Sequence, residues 1–336
     1  MRRTRRHYYI LFLFISPILL GFMAVLFNNT YSRDRDMTPV RISVANQTVF
    51  GLVFVAEKNG YFKEQGLKTE YTTHTLGKDA LKDVLDGKSD LATVYDTPFT
   101  RAILQGEPIS AITSLHSSSR NTAIVMKWKD DVHGSEDLKG KRVGLTKGAS
   151  TEYFLYTVLL SNGMSMSDVT IVDTLTENLE QSLKEDKVDA IVVFDALLHR
   201  VEDNYSPEEF IVEFSDIYID LSFFVGKKEY IDNHRDEISK VTVALLKAEK
   251  FIKDYPDESI NIISKSLGIN DKEFLSRHWR DTNMHMSFDN LMLSILNRES
   301  QWMIQNEGFV PVRKPDFRKY LDTRFLEKLD PESVTL

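Results

Sequence analysis

The sequence predicts an α/β protein with two lobes. Short apolar segments typical of strands alternate with helical segments of about ten residues from Val40 onward, and the alternation starts again near Ala123. Such alternation indicates sheets covered by helices. Each series is too short for a complete domain, and a chain of 336 residues is long enough for two lobes with cores of their own.

The first series has four predicted strands with helices between them. The strands are Val40–Ala45, Lys68–Thr73, Leu91–Tyr95 and Ile109–Leu115. The helices are Gly51–Asn59, Asp79–Leu85 and one that begins near Pro98 and ends at Gly106. Glycine just past a helix and proline near its start are the usual boundary signals. Strands joined through helices favour a parallel sheet.

The second series repeats this architecture without a close sequence repeat. Its predicted strands are Ala123–Trp128, Lys141–Leu145, Val169–Val172 and Val188–Phe194, and its helices are Thr151–Leu160 and Glu177–Glu185. From Tyr230 the pattern becomes helical, with apolar residues three and four positions apart between Ile238 and Ile252. Two more helices are predicted around 260–267 and 291–304, and we expect them to cover a sheet face of either lobe. The stretch after Pro311 has no interpretable pattern.

The N-terminus predicts a membrane anchor. Four arginines within residues 2–6 precede the uncharged stretch Tyr8–Phe27. Twenty helical residues span about 30 Å, the hydrocarbon thickness of a bilayer. Arginines on the short side place residues 1–7 in the cytoplasm, so residues 28–38 form a linker to a domain on the extracytoplasmic (periplasmic) face. The alternative is a cleaved signal peptide, for which Thr30-Tyr31-Ser32 is the best cleavage site.

Charge and cysteine content exclude several classes of protein. Residues 1–35 hold six Arg and one Asp, so the rest of the chain has 36 basic and 49 acidic residues, a net charge of −13. An acidic domain of this kind is not a nucleic-acid binder. The chain has no cysteine, which excludes disulfides, a thiolate nucleophile or metal ligand, and a thioether lipid anchor.

Signatures of catalysis are missing from the sequence. There is no G-x-S-x-G elbow, H-E-x-x-H motif, Walker loop or G-x-G-x-x-G motif. The eight histidines are scattered, and none pairs with another four residues away. We therefore expect no catalytic residues, no metal site, no cofactor and no enzymatic activity.

Polar side chains follow the predicted strands, at the edge where open α/β sheets bind ligands. Asn46, Gln47 and Thr48 follow the opening strand, and Tyr95, Asp96 and Thr97 follow another. Tyr95 offers a stacking face and Asp96 an acceptor for a ligand N–H. The competing interpretation of each loop is ordinary capping of the next helix.

Two strands of the second series are also followed by residues that could contact a ligand. Lys147, Gly148, Ala149 and Ser150 open a helix whose free N–H groups suit an anion or a polar head group. Asp195 closes the apolar strand that ends at Phe194. Here too a helix cap is the alternative.

Four motifs in register resemble a known family. They are GLVFVAEKNGYFKEQGL (51–67), ALKDVLDGKSDLA (80–92), DLKGKRVG (137–144) followed by KGAS (147–150), and KVDAI (187–191). Together, over about residues 40–256, they resemble the nitrate/sulfonate/taurine-binding and thiamine-precursor-binding group of ABC-transporter solute-binding proteins.

The resemblance implies a type II periplasmic-binding-protein fold with a ligand cleft. One lobe would comprise residues 39–118 plus 216–336 and the other 119–215, with crossings near 117–121 and 215–217. Carried over by position, the ligand lining would be Asn46, Gln47, Thr48, Tyr95, Asp96, Thr97, His116, Gly148, Ala149, Ser150 and Asp195. Hinge closure around a small ligand and delivery to a permease with its ATPase would follow, from a monomeric ectodomain.

Ligand class and partner stay open at the level of the sequence. Asp96 and Asp195 favour a pyrimidine-like or amine-like ligand, whereas the Lys147 loop favours a sulfonate or nitrate. The nitrogen-bearing class is preferred, because two carboxylates buried beside an anion are costly. The Trp or Pro that family members often have around residues 194–196 is absent. A tethered sensor module is the alternative function, and a thiamine-pyrimidine-synthase-like enzyme a minor one that lacks the required cysteines.

Overall fold

Two five-stranded sheets form the framework of the computed structural model, which describes residues 37–128, 132–206, 208–269, 275–276, 279, 283–311 and 315–336. The first contains β1 (Thr38–Ala45), β2 (Leu67–His74), β3 (Leu91–Tyr95), β4 (Ile109–Ser118) and β10 (Asp220–Lys227). The second contains β5 (Thr122–Lys127), β6 (Arg142–Leu145), β7 (Thr170–Asp173), β8 (Ala190–Phe194) and β9 (Phe210–Glu213). The first sheet has the order β2-β1-β3-β10-β4 and the second the order β7-β6-β8-β5-β9.

Both sheets are mixed, which corrects the expectation of parallel sheets. β1 pairs in parallel with β2 and β3, but β10 lies antiparallel between β3 and β4. In the second sheet β5 runs antiparallel to β8 and β9. The reason is the path of the chain. The chain leaves the first sheet at the carboxyl end of β4, and β10 starts at that same end of the sheet, with Asp220 opposite Ser118. A strand that starts from the junction between the sheets is therefore antiparallel to its neighbours.

The predicted helices are all observed, with bounds that differ by a few residues, and the described residues contain four further α-helices that were not predicted. Beside the first sheet lie α1 (Gly51–Lys58), α2 (Tyr61–Glu64), α3 (Gly77–Leu85) and α4 (Asp96–Leu104). Beside the second lie α5 (Thr151–Ser161), α6 (Leu179–Lys184) and α7 (Asp195–Asn204). The C-terminal part adds α8 (Lys228–Asn233), α9 (Arg235–Asp254), α10 (Pro256–Leu267), α11 (Asn290–Asn306) and α12 (Arg324–Leu329). The amphipathic pattern of α9 buries Ile238 and Leu245.

The C-terminal helices cover the first sheet, a choice that the sequence left open. Leu245, Leu296 and Leu326 belong to the same buried cluster as Ile42 of β1 and Phe223 of β10. The stretch after Pro311, which had no interpretable pattern, also joins this lobe. Its Asp322 N–H donates to the carbonyl of Ala111 at 2.8 Å.

Helix α11 reaches from one core to the other. Leu296 lies in the first cluster, whereas Trp302 lies in the cluster of the second sheet. The Trp302 ring is 5.4 Å from that of Tyr153 and 5.9 Å from that of Tyr156, both on α5. The two lobes therefore share an aromatic contact.

The predicted anchor, residues 8–27, lies outside the described residues, among which no helix has the length and apolar character to span a membrane. The predicted lobe boundaries stay a prediction. The chain passes from the first sheet to the second between Ser118 and Thr122, and returns between Glu213 and Asp220.

Candidate functional site

A small cavity lies where the carboxyl ends of β3 and β8 face each other. The lining comes from both sheets: Gln47, Leu76, Gly77, Lys78, Tyr95 and Pro98 from one side, and Thr122, Ala149, Ser150, Thr151 and Phe194 from the other. The centre of a water molecule can reach only about 20 Å³ of it. That is roughly the space for one water molecule, so the two walls are closed on each other.

Two aromatic residues, Tyr95 and Phe194, line this cavity from opposite sides. The Tyr95 ring meets those of Phe50 and Phe194 edge-on, with centroids 5.7 Å and 6.2 Å apart. Phe50 and Tyr95 lie on the first-sheet side, and Phe194 ends β8 of the second. Edge-to-face packing of this kind is a favoured arrangement of aromatic rings, and here it connects the two sides.

Asp195 and Thr48 join the two sides of the cavity. The Thr48 N–H donates to Asp195 Oδ1 and Oδ2 at 3.0 and 3.1 Å, and the Thr48 hydroxyl donates to Oδ1. Asp195 does not cap α7, which has no side-chain cap hydrogen bond. Its φ of 51° is in the left-handed region, which is costly for a non-glycine residue. The backbone turn thus points the carboxylate at the opposite lobe.

Asp96 lies behind the cavity lining and is fully buried. Its carboxylate accepts the N–H groups of Thr97 and Leu221 at 2.8 and 3.0 Å, and the Ser150 hydroxyl of the other side at 3.4 Å. Desolvation by burial raises its pKa to about 7. Asp96 thus makes a second link between the sides, and at neutral pH it is partly protonated.

Glu299 of α11 is a buried acid close to Asp96. It accepts the hydroxyls of Thr97 and Thr100, at 2.7 and 3.0 Å. Burial, with Asp96 nearby, raises the pKa of Glu299 well above its ordinary value. The described residues contain no cluster of three or more His, Cys, Asp or Glu arranged to hold a metal ion.

Two backbone N–H groups of the small-residue loop after β6 are engaged by carboxylates of the same lobe. The Lys147 N–H donates to Asp173 Oδ1 at 3.1 Å, and the Gly148 N–H donates to Glu152 Oε2 at 2.7 Å. An anion bound through these two groups would have to displace the two carboxylates. The anion site of this loop stays a prediction.

Asn121 lies at the crossing between the sheets and contacts both of them. Its carbonyl accepts the Asp195 N–H at 3.0 Å. Its amide nitrogen donates to the Tyr95 hydroxyl at 3.0 Å and to Asp220 Oδ2 at 2.8 Å. Thr122 also donates to Asp220 Oδ2, at 3.2 Å. The crossing segment is thus bonded to both walls of the cavity.

The predicted ligand residues fall into three groups. Gln47, Tyr95, Ala149 and Ser150 line the cavity. Thr48, Asp96, Thr97, His116 and Asp195 are buried beside or behind it. Gly148 lies half-buried at the rim, and Asn46 is exposed with its N–H bonded to the His74 carbonyl.

Sequence reasoning missed the loop after β2 and the acids Asp220 and Glu299. Leu76, Gly77 and Lys78 follow a parallel strand, so the rule used for the other loops would have found them. A Cβ on Gly77 would lie 3.1 Å from Val94 Cα, a tight contact with backbone, so glycine favours the close approach of this loop to β3. Asp220 and Glu299 gave a weaker signal, that of a charged residue within an otherwise buried element.

Comparison with known proteins gives the family. The model of the family described as NMT1/THI5 like matches residues 47–259. The formylaminopyrimidine-binding protein of Halalkalibacterium halodurans is 24% identical over 253 residues, covering 72% of this chain and 74% of that protein.

Solved structures show the fold. The periplasmic aliphatic sulphonate binding protein SsuA of Escherichia coli has a TM-score of 0.74 at 16% identity, covering 86% of this chain and 98% of SsuA. The desulfurization enzyme DSZB has a TM-score of 0.63 at 11% identity, covering 88% of this chain and 99% of that enzyme. The match shows a mixed α/β periplasmic-binding-protein fold, and it confirms that part of the predicted fold. Because the match to the family model spans more than half of the sequence, the chain belongs to the NMT1/THI5-like family, as its sequence motifs predicted.

Proposed function

We propose that this protein is an extracytoplasmic solute-binding protein, not an enzyme, which captures a small nitrogen-bearing ligand by closing two lobes. The observation that carries the proposal is the cavity itself. Its walls come from two sheets, and Asp195 of one side bonds to Thr48 of the other. The names of the relatives, which include binding proteins for a pyrimidine and a sulphonate, support the same class.

The ligand class follows from the charges near the cavity. Asp173 and Glu152 engage the N–H groups of Lys147 and Gly148, two donors that an anion could otherwise use. The carboxyl groups of Asp96 and Asp195, although bonded to protein donors, are buried at the junction beside the cavity. An anion beside these acids would be repelled, whereas a ligand with N–H donors or a positive charge would be attracted. A pyrimidine or an amine fits better than a sulfonate or nitrate.

The mechanism is hinge closure. A ligand of several heavy atoms needs more than the 20 Å³ now reachable, so the lobes must part to admit it. We propose the lobes as residues 39–118 plus 216–336 and residues 119–215, with the hinge at the two crossings. The free-energy difference between open and closed forms must be a few kcal/mol, so that ligand contacts can shift the equilibrium.

The partners proposed are an ABC permease and its ATPase, which receive the ligand from the closed form. The uncharged stretch at residues 8–27 supports an N-terminal membrane anchor at the extracytoplasmic face, with a monomeric ectodomain.

The test is thermal unfolding of the full-length chain against a ligand panel. The panel comprises 4-aminopyrimidine, thiamine, a polyamine, taurine, an alkanesulfonate, nitrate and bicarbonate. A ligand at a hundred times its Kd adds about 2.7 kcal/mol to the free energy of unfolding. We expect a nitrogen-bearing compound to raise the melting temperature, and Asp195→Ala to abolish the rise.

Asp173→Ala is the matched control, because Asp173 is an acid of the same lobe whose carboxylate bonds within that lobe, to the Lys147 N–H. It should preserve the response. A response to sulfonates or nitrate alone would contradict the ligand class. A panel without any response would contradict the binding function.

A further inference from the structure

One hydrogen bond within the protein determines whether the Tyr95 hydroxyl acts as a donor or as an acceptor toward a ligand. Tyr95 lines the cavity, and its oxygen accepts a hydrogen bond from the Asn121 amide nitrogen at 3.0 Å. A tyrosine hydroxyl has one proton to donate. None of the described residues accepts that proton within hydrogen-bond distance. The described part of the protein thus leaves the Tyr95 proton free for another acceptor.

Asp220 determines which end of the Asn121 amide faces Tyr95. Asn121 Nδ2 donates to Asp220 Oδ2 at 2.8 Å, and Thr122 donates to the same oxygen at 3.2 Å. An amide oxygen in that position would face an acceptor and be repelled. The carboxylate therefore holds Nδ2, and not Oδ1, beside the Tyr95 hydroxyl.

This orientation holds for either protonation state of Asp220. Burial raises the pKa of Asp220 to about 8, so it carries a proton at neutral pH. Oδ2 already accepts two hydrogen bonds, whereas Oδ1 has no hydrogen-bond partner among the residues that the structure describes and lies 3.9 Å from His116 Nδ1. The proton therefore resides on Oδ1, and Oδ2 remains an acceptor for Asn121.

We propose that Tyr95 donates a hydrogen bond to an acceptor atom of the ligand, and that Asn121, held by Asp220, is the positioning residue that fixes this direction. The inference rests on the proposed ligand-binding function and refines its ligand class. The ligand carries an acceptor, such as a ring nitrogen or a carbonyl, beside the N–H donors that face the acids. Asn121 acts through Tyr95 and does not itself line the cavity.

Two small molecules test whether Tyr95 bonds to an acceptor atom of the ligand and not to its amine or its ring. 4-Aminopyrimidine has ring nitrogens that accept hydrogen bonds, whereas aniline keeps the amine and the ring without them. With the full-length chain, we expect Tyr95→Phe to weaken 4-aminopyrimidine binding about tenfold, the usual effect of one lost hydrogen bond in a buried site. Aniline binding should not change. Tyr205→Phe, which removes a hydroxyl bonded to Glu180, is the matched control and should affect neither probe.

A side-chain exchange tests the role of Asn121. The double variant Asn121→Asp/Asp220→Asn keeps both side chains but exchanges their places, and it is compared with the wild type at pH 9, above the pKa of about 8 that burial gives Asp220 here. An ionised Asp at 121 has no proton to donate and can only accept that of Tyr95. We expect it to lose the preference for 4-aminopyrimidine over aniline, as Tyr95→Phe does. If the double variant keeps the wild-type preference, or if Tyr95→Phe weakens both probes equally, the assignment is wrong.

A measurement without ligand distinguishes failure of this inference from failure of the proposed function. The NMR resonance of the Tyr95 ring carbon Cζ, identified by its loss in Tyr95→Phe, reports whether the hydroxyl donates or accepts. It should move to higher frequency in the double variant, where Tyr95 becomes a donor to the protein. An unchanged resonance overturns the positioning role of Asn121. If the wild-type chain binds neither probe, the proposed ligand class is contradicted, and this resonance alone decides the polarity of Tyr95.

Discussion

Individual buried carboxyl groups dominate the electrostatics of the cavity region. Asp96, Asp195, Asp220 and Glu299 are all buried at the junction of the lobes. Hydroxyl and amide donors satisfy most of their oxygens, but no lysine or arginine forms an ion pair with any of the four among the described residues. Desolvation raises the pKa values of Asp96, Asp220 and Glu299, which favours their protonated forms.

The raised pKa values predict that the protein loses stability as the pH rises. Asp96 and Asp220 have pKa values of about 7 and 8 in the folded chain, well above that of an unfolded Asp near 3.9. The folded state binds more protons than the unfolded state between these limits, so the free energy of unfolding falls as pH increases through 7 and 8. Chemical denaturation from pH 6.5 to 9 measures this slope.

The upper pH range isolates the acids from His116. Burial lowers the pKa of His116 to about 3, so this residue affects stability only below its unfolded value near 6.5, and with the opposite sign. Asp96→Asn should make the slope between pH 6.5 and 9 shallower. A variant with an unchanged slope would contradict the protonation of Asp96 in the folded chain.

At the scale of elements, α11 links the cores of the two lobes. Its first half packs in the cluster of the first sheet, and Trp302 packs against Tyr153 and Tyr156 of α5. Glu299, one turn earlier, bonds to Thr97 and Thr100 of α4. One helix thus holds the buried acid and the aromatic contact between the lobes.

Removal of the Trp302 ring should be costly. Trp302→Ala is expected to lower the free energy of unfolding by about 3–5 kcal/mol, because a large buried side chain is replaced by a cavity. Leu291→Ala, at the exposed start of the same helix, is the control and should cost no more than about 0.5 kcal/mol. Urea denaturation of both variants measures the difference, and equal losses would show that Trp302 adds no packing of its own.

At the scale of the whole molecule, the closed arrangement depends on a few hydrogen bonds across the cavity. Thr48 donates to Asp195, and Ser150 donates to Asp96. Each hydrogen bond contributes about 0.5–1.5 kcal/mol, which is comparable with the difference between two interconverting forms. Loss of the two hydroxyls should therefore shift the equilibrium visibly toward an open form.

The double variant Thr48→Val/Ser150→Ala tests this, and the absence of cysteine makes the measurement simple. Cysteines introduced at the exposed positions Lys68 and Asn178, one on each lobe, would be the only sites for spin labels. We expect the distance distribution between the labels to broaden toward longer values in the double variant. Ser294→Ala removes an exposed hydroxyl bonded to its own helix and should leave the distribution unchanged. Identical distributions in all three chains would contradict the role of these bonds in closure.

The sequence by itself determined the family, the alternation of elements and the loops that face the cavity. These features are local or depend on spacing: β3 was predicted at Leu91–Tyr95, and Gln47, Tyr95, Ala149 and Ser150 all line the cavity. Apolar runs bounded by glycine identify buried strands, and ligand loops follow the carboxyl ends of parallel strands. The pattern did not predict β10. The residues before and after it in the sequence give no sign that it pairs with β3 and β4, which lie about a hundred residues earlier in the chain.

Only the tertiary structure decided the bonds that connect distant parts of the chain. Asp195 had a helix cap as an equally good interpretation, and the fold directs it instead to Thr48, 147 residues away. All the N–H groups of the Lys147 loop looked free, but Asp173 engages that of Lys147 and Glu152 engages that of Gly148. Hydrogen-bond partners and burial are set by the packing of one lobe on the other, and a single sequence carries no record of which side chains meet across that junction.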